Sequence, residues 1–237
     1  MDELGKNAHS GSGEVAVIHS DGAIVVIDKP AGMFVHRAPG HSGETVCDAL
    51  LRLFPDMAGV GSVERPGVVH RLDCDTSGVM VFARTRSAYL SLRRAFEEHG
   101  RVEKTYLAVL HGAPKPVCGT LDTLVGRKSW DSKRMAVDGV DGRRAVTHWR
   151  VLGRSGGLAL VEFKIDTGRM HQIRVHAAHL GHPVAGDPLY GDAAKDARMR
   201  RPPARTLLHA ATLAFPHPET GRRVEFSAPP PYDIVYC

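Results

Sequence analysis

Cysteine is scarce in this 237-residue chain: four residues, Cys47, Cys74, Cys118 and Cys237, with no Cys-x-x-Cys pair among them. So thin a set excludes a disulfide scaffold and offers neither a zinc knuckle nor a redox pair. Long apolar runs are missing too. No stretch approaches the roughly 20 residues that cross a bilayer, and the first residues carry no apolar core of a signal peptide. A cytoplasmic location with no membrane partner is expected. There is no His-Glu-x-x-His, no Gly-rich phosphate loop and no internal repeat.

What is present is ordinary for a globular protein, at 43% hydrophobic and 24% charged residues. Charge is the exception. The net charge is +5 and the pI about 9.2, with arginine predominating among 31 basic residues. That balance suits an anionic partner, nucleic acid above all, and the planar guanidinium fits phosphates and base edges. Residues 1–13 are polar and read as a flexible leader. Residues 14–237 are long enough for a single domain with a real core.

The order of elements is strand-rich. Val15 to Ile18 and Ile24 to Ile27, joined by Ser20-Asp21-Gly22, read as a hairpin. Thr45, with Asp48 three residues on, opens a helix that Pro55 stops. A second helix is expected from a Ser87 cap, with Gly100 at its end. Strands follow over Glu103 to Leu110, Ala145 to Leu152 and Leu158 to Ile165. The span between Gly112 and Asp141 interleaves Arg127, Lys128, Lys133 and Arg134 with Trp130, which suits RNA or simply a solvated hairpin. A helix over Met170 to Leu180 ends at Gly181. Strands interrupted by occasional helices argue for an α+β fold rather than a βαβ rhythm.

The segment that organises the chain is Val68 to Phe82. Apolar runs, Val68-Val69 and Val79 to Ala83, flank the loop His70-Arg71-Leu72-Asp73-Cys74-Asp75-Thr76-Ser77-Gly78. Rigid strands that hold a polar loop are a common setting for chemistry, although aspartates also serve simply as turn residues. Asp73 carries the functional reading. Arg174 borders Met170, Ala177 and Ala178 on the last helix, so its guanidinium is partly buried and needs a carboxylate. Asp73 is the expected partner. Tyr106 sits where its strand turns from charged to apolar, a place for a core tyrosine or a functional one. His176, His179 and His182 lack metal-site spacing, and no metal is expected. Asp75-Thr76-Ser77-Gly78 faintly echoes an aspartic-protease loop without a second copy. His70 to Asp73 echoes a kinase catalytic loop without its companions.

The loop His70-Arg71-Leu72-Asp73-x-x-Thr76-Ser77-Gly78 closely resembles the signature of the RluA-type RNA pseudouridine synthases. Four companions follow the same family order. They are Asp28 to Gly32, Glu103 to Tyr106, Gly168 to His176, and Gly181-His182-Pro183 through Gly191. Met170 and Asp28 stand where the family often has Thr and Asn. The resemblance implies a mixed, largely antiparallel sheet flanked by helices, with an active cleft across it. It implies isomerisation of uridines in rRNA or tRNA, in a loop or stem-loop, by a monomer that needs no cofactor. The leader leaves no room for the family's S4-type module, so a catalytic-domain-only member is expected. By the same resemblance Asp73 is the catalytic carboxylate, Arg174 its partner, and Tyr106 the ring that stacks on the uracil. Arg71 occupies the space of the flipped nucleotide and Leu208 walls the base. His70, Lys104, Arg169 and His171 contact the substrate. Basic side chains such as Arg127, Lys133 and Arg198 hold phosphates.

Overall fold

The structure, a computed structural model, describes residues 15–37, 40 and 42–236, and only the backbone of residues 132 and 133. The expected leader over 1–13 lies outside the described residues, as do Cys237 and the side chain of Lys133.

The chain opens with a hairpin of β1 (Ala16–Ser20) and β2 (Ile24–Lys29), turned at Asp21, whose carboxylate takes the Ala23 and Ile24 amides. Helix α1 (Val46–Leu53) starts at Thr45 in a complete capping box with Asp48. Two short strands follow, β3 (Gly61–Ser62) and β4 (Arg65–Pro66), and then β5 (Ser77–Ala83), every residue of which is buried. Helix α2 (Arg86–Glu97) is capped by Thr85 rather than Ser87, because the Thr85 hydroxyl already accepts the Ala88 amide. Beyond it come β6 (Glu103–His111), β7 (Cys118–Lys128), β8 (Asp131–Val137), β9 (Val140–Ser155) and β10 (Leu158–Ile165). Helices α3 (Gln172–His179) and α4 (Ala193–Asp196), strands β11 (Leu208–Pro216) and β12 (Arg223–Ser227), and helix α5 (Tyr232–Val235) complete the order.

Ten of these strands form one sheet, in the order β1-β2-β5-β11-β6-β10-β9-β7-β8, with β12 also on β11. The β5–β11 pairing is parallel and the other pairings are antiparallel. The fold is therefore the mixed, largely antiparallel sheet with few helices that was expected. Strands in the middle of such a sheet bury both faces and read as continuous apolar runs. Val79 to Ala83 in β5 and Ala108 to Leu110 in β6 obey that rule. The alternating run in β9 buries Ala145, Thr147 and Trp149 and leaves Arg150 exposed.

Two expectations fail locally. Val68-Val69 is not a strand: Val68 makes a single bridge to Phe82, because Gly67 turns with φ 69° and packs against Ala83. Helix α3 begins at Gln172, not Met170. His171 stands in the left-handed region at φ 56°, and the Gln172 side chain folds back to accept the Arg169 amide.

Gly78 closes the organising loop. Its φ is 116°, and a Cβ there would lie 2.2 Å from the Ala210 carbonyl oxygen. No other residue lets β5 approach β11 this closely. The close approach delivers the loop 70–76 to the sheet's middle, beside β6 and the N-terminal end of α3.

Candidate active site

Loop 70–76 has no regular secondary structure, yet its backbone is pinned from several sides. The Gly32 amide and the Lys29 ammonium both donate to the Cys74 carbonyl, at 3.0 and 2.8 Å. Lys29 is fully buried and spends its other donors on Pro30 and Met33 carbonyls. Burial lowers its pKa to about 8. Arg205 donates to the Asp75 carbonyl and clamps Asp233 with two bonds of 2.7 Å, so α5 also braces the loop. A loop this constrained holds its side chains in fixed geometry.

Asp73 points into a cavity of about 140 Å³. Arg71, Leu72, Tyr106, Ile165, Arg169, Met170, His171, Arg174 and Leu208 line it with Asp73. Two larger hollows of about 530 and 570 Å³ share the Arg71 wall on either side, and Arg37, Arg65, Arg93, Lys104, Arg143 and Arg169 make their rims strongly cationic.

The Arg174 Nη1 donates to Asp73 Oδ2 at 3.0 Å, across 101 residues of sequence. That ion pair was expected. Asp187 was not. It accepts Arg174 Nε and Nη2 at 2.7 Å each, and its side chain is fully buried. The Leu189 and Tyr190 amides also donate to it. Burial alone pushes the Asp187 carboxyl up, but the Arg174 bonds and charge outweigh this and hold it below the usual range. Arg174 responds in kind: burial works against its charge, and Asp187 first and then Asp73 raise its pKa above the ordinary value. The bidentate pair therefore fixes the guanidinium, and the guanidinium in turn presents one N–H to Asp73. Asp73 Oδ1 accepts no hydrogen bond among the described residues, and the carboxylate side chain is 23% exposed.

Tyr106 is buried in β6 with its hydroxyl unbonded within the chain among the described residues. Burial, with the nearby Asp73 charge, raises its pKa, so the phenol keeps its proton at neutral pH. Leu208, at the start of β11, pairs with Ala108, two residues along β6 from Tyr106, and lines the same cavity. His171 puts Nε2 3.9 Å from Asp73 Oδ2 and Nδ1 2.9 Å from the Tyr190 hydroxyl. Burial first lowers its pKa, which Asp73 opposes and Arg174 reinforces. Arg169 lines the cavity while donating to the Arg144 carbonyl.

The remaining expected residues are placed differently. His70 lines the outer hollow with Lys104 and Arg169 rather than the Asp73 cavity itself. Its Nε2 accepts the Val81 amide at 3.1 Å, its ring stacks on Phe96 at 4.6 Å, and burial drops its pKa to about 3. It anchors the loop's entrance. Lys104 lies on the rim of the outer hollow, its pKa lowered by burial to about 8. His176 is occupied by the Thr147 and Thr123 hydroxyls, and His182 Nδ1 contacts the His111 carbonyl. Those rings are thus structural. Trp130, at the turn between β7 and β8, is 79% exposed with the Lys128 ammonium 4.7 Å from its ring. No helix among the described residues is long and apolar enough to cross a membrane.

The sequence reading does not single out Asp187 or Tyr190, although both sit in the Gly186-Asp187-Pro188-Leu189-Tyr190-Gly191 run inside the motif that ends at Gly191, and that motif is the available signal.

Proteins similar to this chain include RNA pseudouridine synthases. The family model described as RNA pseudouridylate synthase matches residues 23–179. An uncharacterized RNA pseudouridine synthase of Chloroflexus aurantiacus is 48% identical over 207 residues, 87% of this chain and 63% of that protein. A ribosomal large subunit pseudouridine synthase D of Pseudomonas aeruginosa is 40% identical, over 94% of this chain and 70% of its own length. A Synechocystis relative, also described as an uncharacterized RNA pseudouridine synthase, is 42% identical, and this chain spans 65% of it. Among solved structures, human RNA pseudouridylate synthase domain containing 1 superposes with a TM-score of 0.76 at 29% identity, covering 95% of this chain and 87% of that one. Motifs, sheet order and these matches agree, and the chain belongs to the RNA pseudouridylate synthase family, in its RluA-type group.

Proposed function

We propose that this protein is an RNA pseudouridine synthase that isomerises particular uridines of structured RNA, ribosomal or transfer, with no cofactor. The observation that carries the reading is the carboxylate of Asp73. It is held by a guanidinium that Asp187 fixes, it keeps one oxygen without a hydrogen bond among the described residues, and it lies in a cavity walled by Tyr106 and Leu208.

The reaction breaks the bond from ribose C1′ to uracil N1, turns the base, joins C1′ to C5, and releases the C5 proton. Asp73 is the acting carboxylate through its unbonded Oδ1, either on the sugar or base or as the group that takes a sugar proton. Arg174 orients it and supplies the opposite charge as the base dries the cavity. Tyr106 stacks on the uracil, Leu208 walls its other side, and Arg71 takes the space the flipped nucleotide leaves. Extruding the uridine costs a few kcal/mol. Phosphate contacts from Lys104, Arg169 and the other rim cations offset that cost, and Trp130 with Lys128 offers a stacking surface further out. His171 faces the same substrate, and His70 supports the loop from behind. The unit is read as a monomeric catalytic domain from residue 14 on, working in the cytoplasm.

The test is cellular. Pseudouridines are mapped in RNA from cells with the protein, without it, and with Asp73→Asn in its place. The proposal expects one or a few positions to lose the modification in both altered strains. An unchanged map in both would refute it.

A further inference from the structure

His171 holds the least comfortable backbone in the site. A β-carbon residue in the left-handed region costs about 1–2 kcal/mol, and such strain persists where surrounding contacts impose it. Here the contacts are specific. The His171 ring meets the Tyr190 ring edge-on with centroids 5.6 Å apart, and its Nδ1 lies 2.9 Å from the Tyr190 hydroxyl. That hydroxyl already accepts the Met135 amide from β8 at 2.8 Å. The Tyr190 ring in turn lies against the Arg174 guanidinium at 5.2 Å.

Hydrogen-bond economy decides the proton positions. A backbone N–H can only donate, so the Met135 amide uses a lone pair of the tyrosine oxygen. The phenol's own proton then needs an acceptor, and among the described residues His171 Nδ1 is the one that contacts it. Nδ1 is therefore unprotonated, and the ring proton sits on Nε2. Nε2 faces Asp73 Oδ2 from 3.9 Å, too far for a hydrogen bond in the free protein. The N–H is left aimed into the cavity beside the carboxylate.

We propose that Tyr190 fixes His171 as the Nε2–H tautomer, and that this N–H donates to a carbonyl oxygen of the uracil as the base leaves C1′ and turns. The bond strengthens as negative charge collects on the departing base, so it acts on the transition state more than on binding. No covalent bond to His171 forms, and its proton stays on the ring. Tyr190 is then a positioning residue. Its hydroxyl links the β7–β8 hairpin, through Met135, to the group that meets the base.

The inference rests on the isomerase reading of Asp73, and its test separates the two. The tautomer is read on the 15N-histidine-labelled full chain without RNA, from the ring-nitrogen resonances of His171. Wild type shows Nδ1 unprotonated and Nε2 protonated, and Tyr190→Phe shows that preference reduced or reversed with the melting temperature little changed. Turnover is read as tritium release from C5-tritiated RNA. His171→Gln, whose amide can stand at the Nε2 position, retains at least tenfold more kcat than His171→Asn, whose amide stands at Nδ1. Both have KM within about threefold of wild type. A wild-type ring protonated on Nδ1, or equal kcat for the Gln and Asn variants, overturns the proposal. A wild type that releases no tritium from RNA lacking the modification counts instead against the isomerase reading.

Discussion

Replacing Asp187 with asparagine separates what holds the site from what acts in it. The side chain is fully buried, and both its oxygens face the Arg174 guanidinium at 2.7 Å. An amide in its place keeps one oxygen for the guanidinium but turns an N–H₂ toward its other N–H, and leaves a cation that is 7% exposed with Asp73 as its one remaining counter-charge among the described residues. Removing one partner of a buried ion pair costs about 3–5 kcal/mol. For a chain of this size that is a fall of roughly 6–20 °C in melting temperature. Asp73→Asn can keep an oxygen for the 3.0 Å bond and loses the opposite charge at a side chain that solvent still reaches, which costs about 1 kcal/mol. The assay is urea unfolding of wild type and both variants, compared by midpoint at unchanged slope, alongside turnover on RNA. Asp187→Asn should be the unstable variant with turnover reduced about a hundredfold through misplacement of Arg174. Asp73→Asn should be the stable variant with none. Asp187→Asn within 0.5 kcal/mol of wild type, or Asp73→Asn the less stable of the two, would refute the division of labour.

The other predictions concern the cavity, the surface and pH. Tyr106→Phe keeps the stacking ring and loses a hydroxyl placed to help remove the uracil C5 proton, so kcat should fall at least tenfold with KM within about threefold, and an unchanged kcat would confine Tyr106 to stacking. Trp130→Ala removes an exposed ring that the core does not use. It should raise KM for folded RNA about fivefold at unchanged melting temperature, and a KM equal to wild type would make the hairpin tip ornamental. Asp187 has its folded-state pKa depressed below the unfolded value of about 4. Its contribution is complete above that value and is lost as pH falls through the folded-state pKa. The urea midpoints of wild type and Asp187→Asn should therefore converge below about pH 4, and a gap constant down to pH 2 would contradict the pair's role.

Much of this site could be read before the fold was known, and the limits follow from which information is local. Thr45 and Asp48 announce a helix start because capping acts over three residues, and the structure contains that box. Arg174 could be recognised as buried, and so in need of a carboxylate, from its helix neighbours alone. Which carboxylate would dominate could not. Asp187 wins the two shorter bonds because the turn at Gly186 brings it under the guanidinium. There a Cβ would lie 2.0 Å from the Arg205 carbonyl oxygen. Nothing in local periodicity encodes that approach. The same holds for the parallel contact of β5 and β11, made between His209 and Ser77 across more than a hundred residues. The helix after Gly168 was overextended because apolar spacing continues through Met170 while His171 breaks the backbone for the sake of its ring. His70 adjoins Arg71 and lines the outer hollow with Lys104, while its ring is also held by a backbone amide and Phe96, contacts that no local pattern announces.

The most direct measurement is single-turnover release of tritium from C5-tritiated RNA, prepared from cells lacking the protein, by wild type and by Asp73→Asn of matched melting temperature. The account predicts release with wild type at a limited number of sites and none with the variant. Release by the variant at the wild-type rate would contradict it.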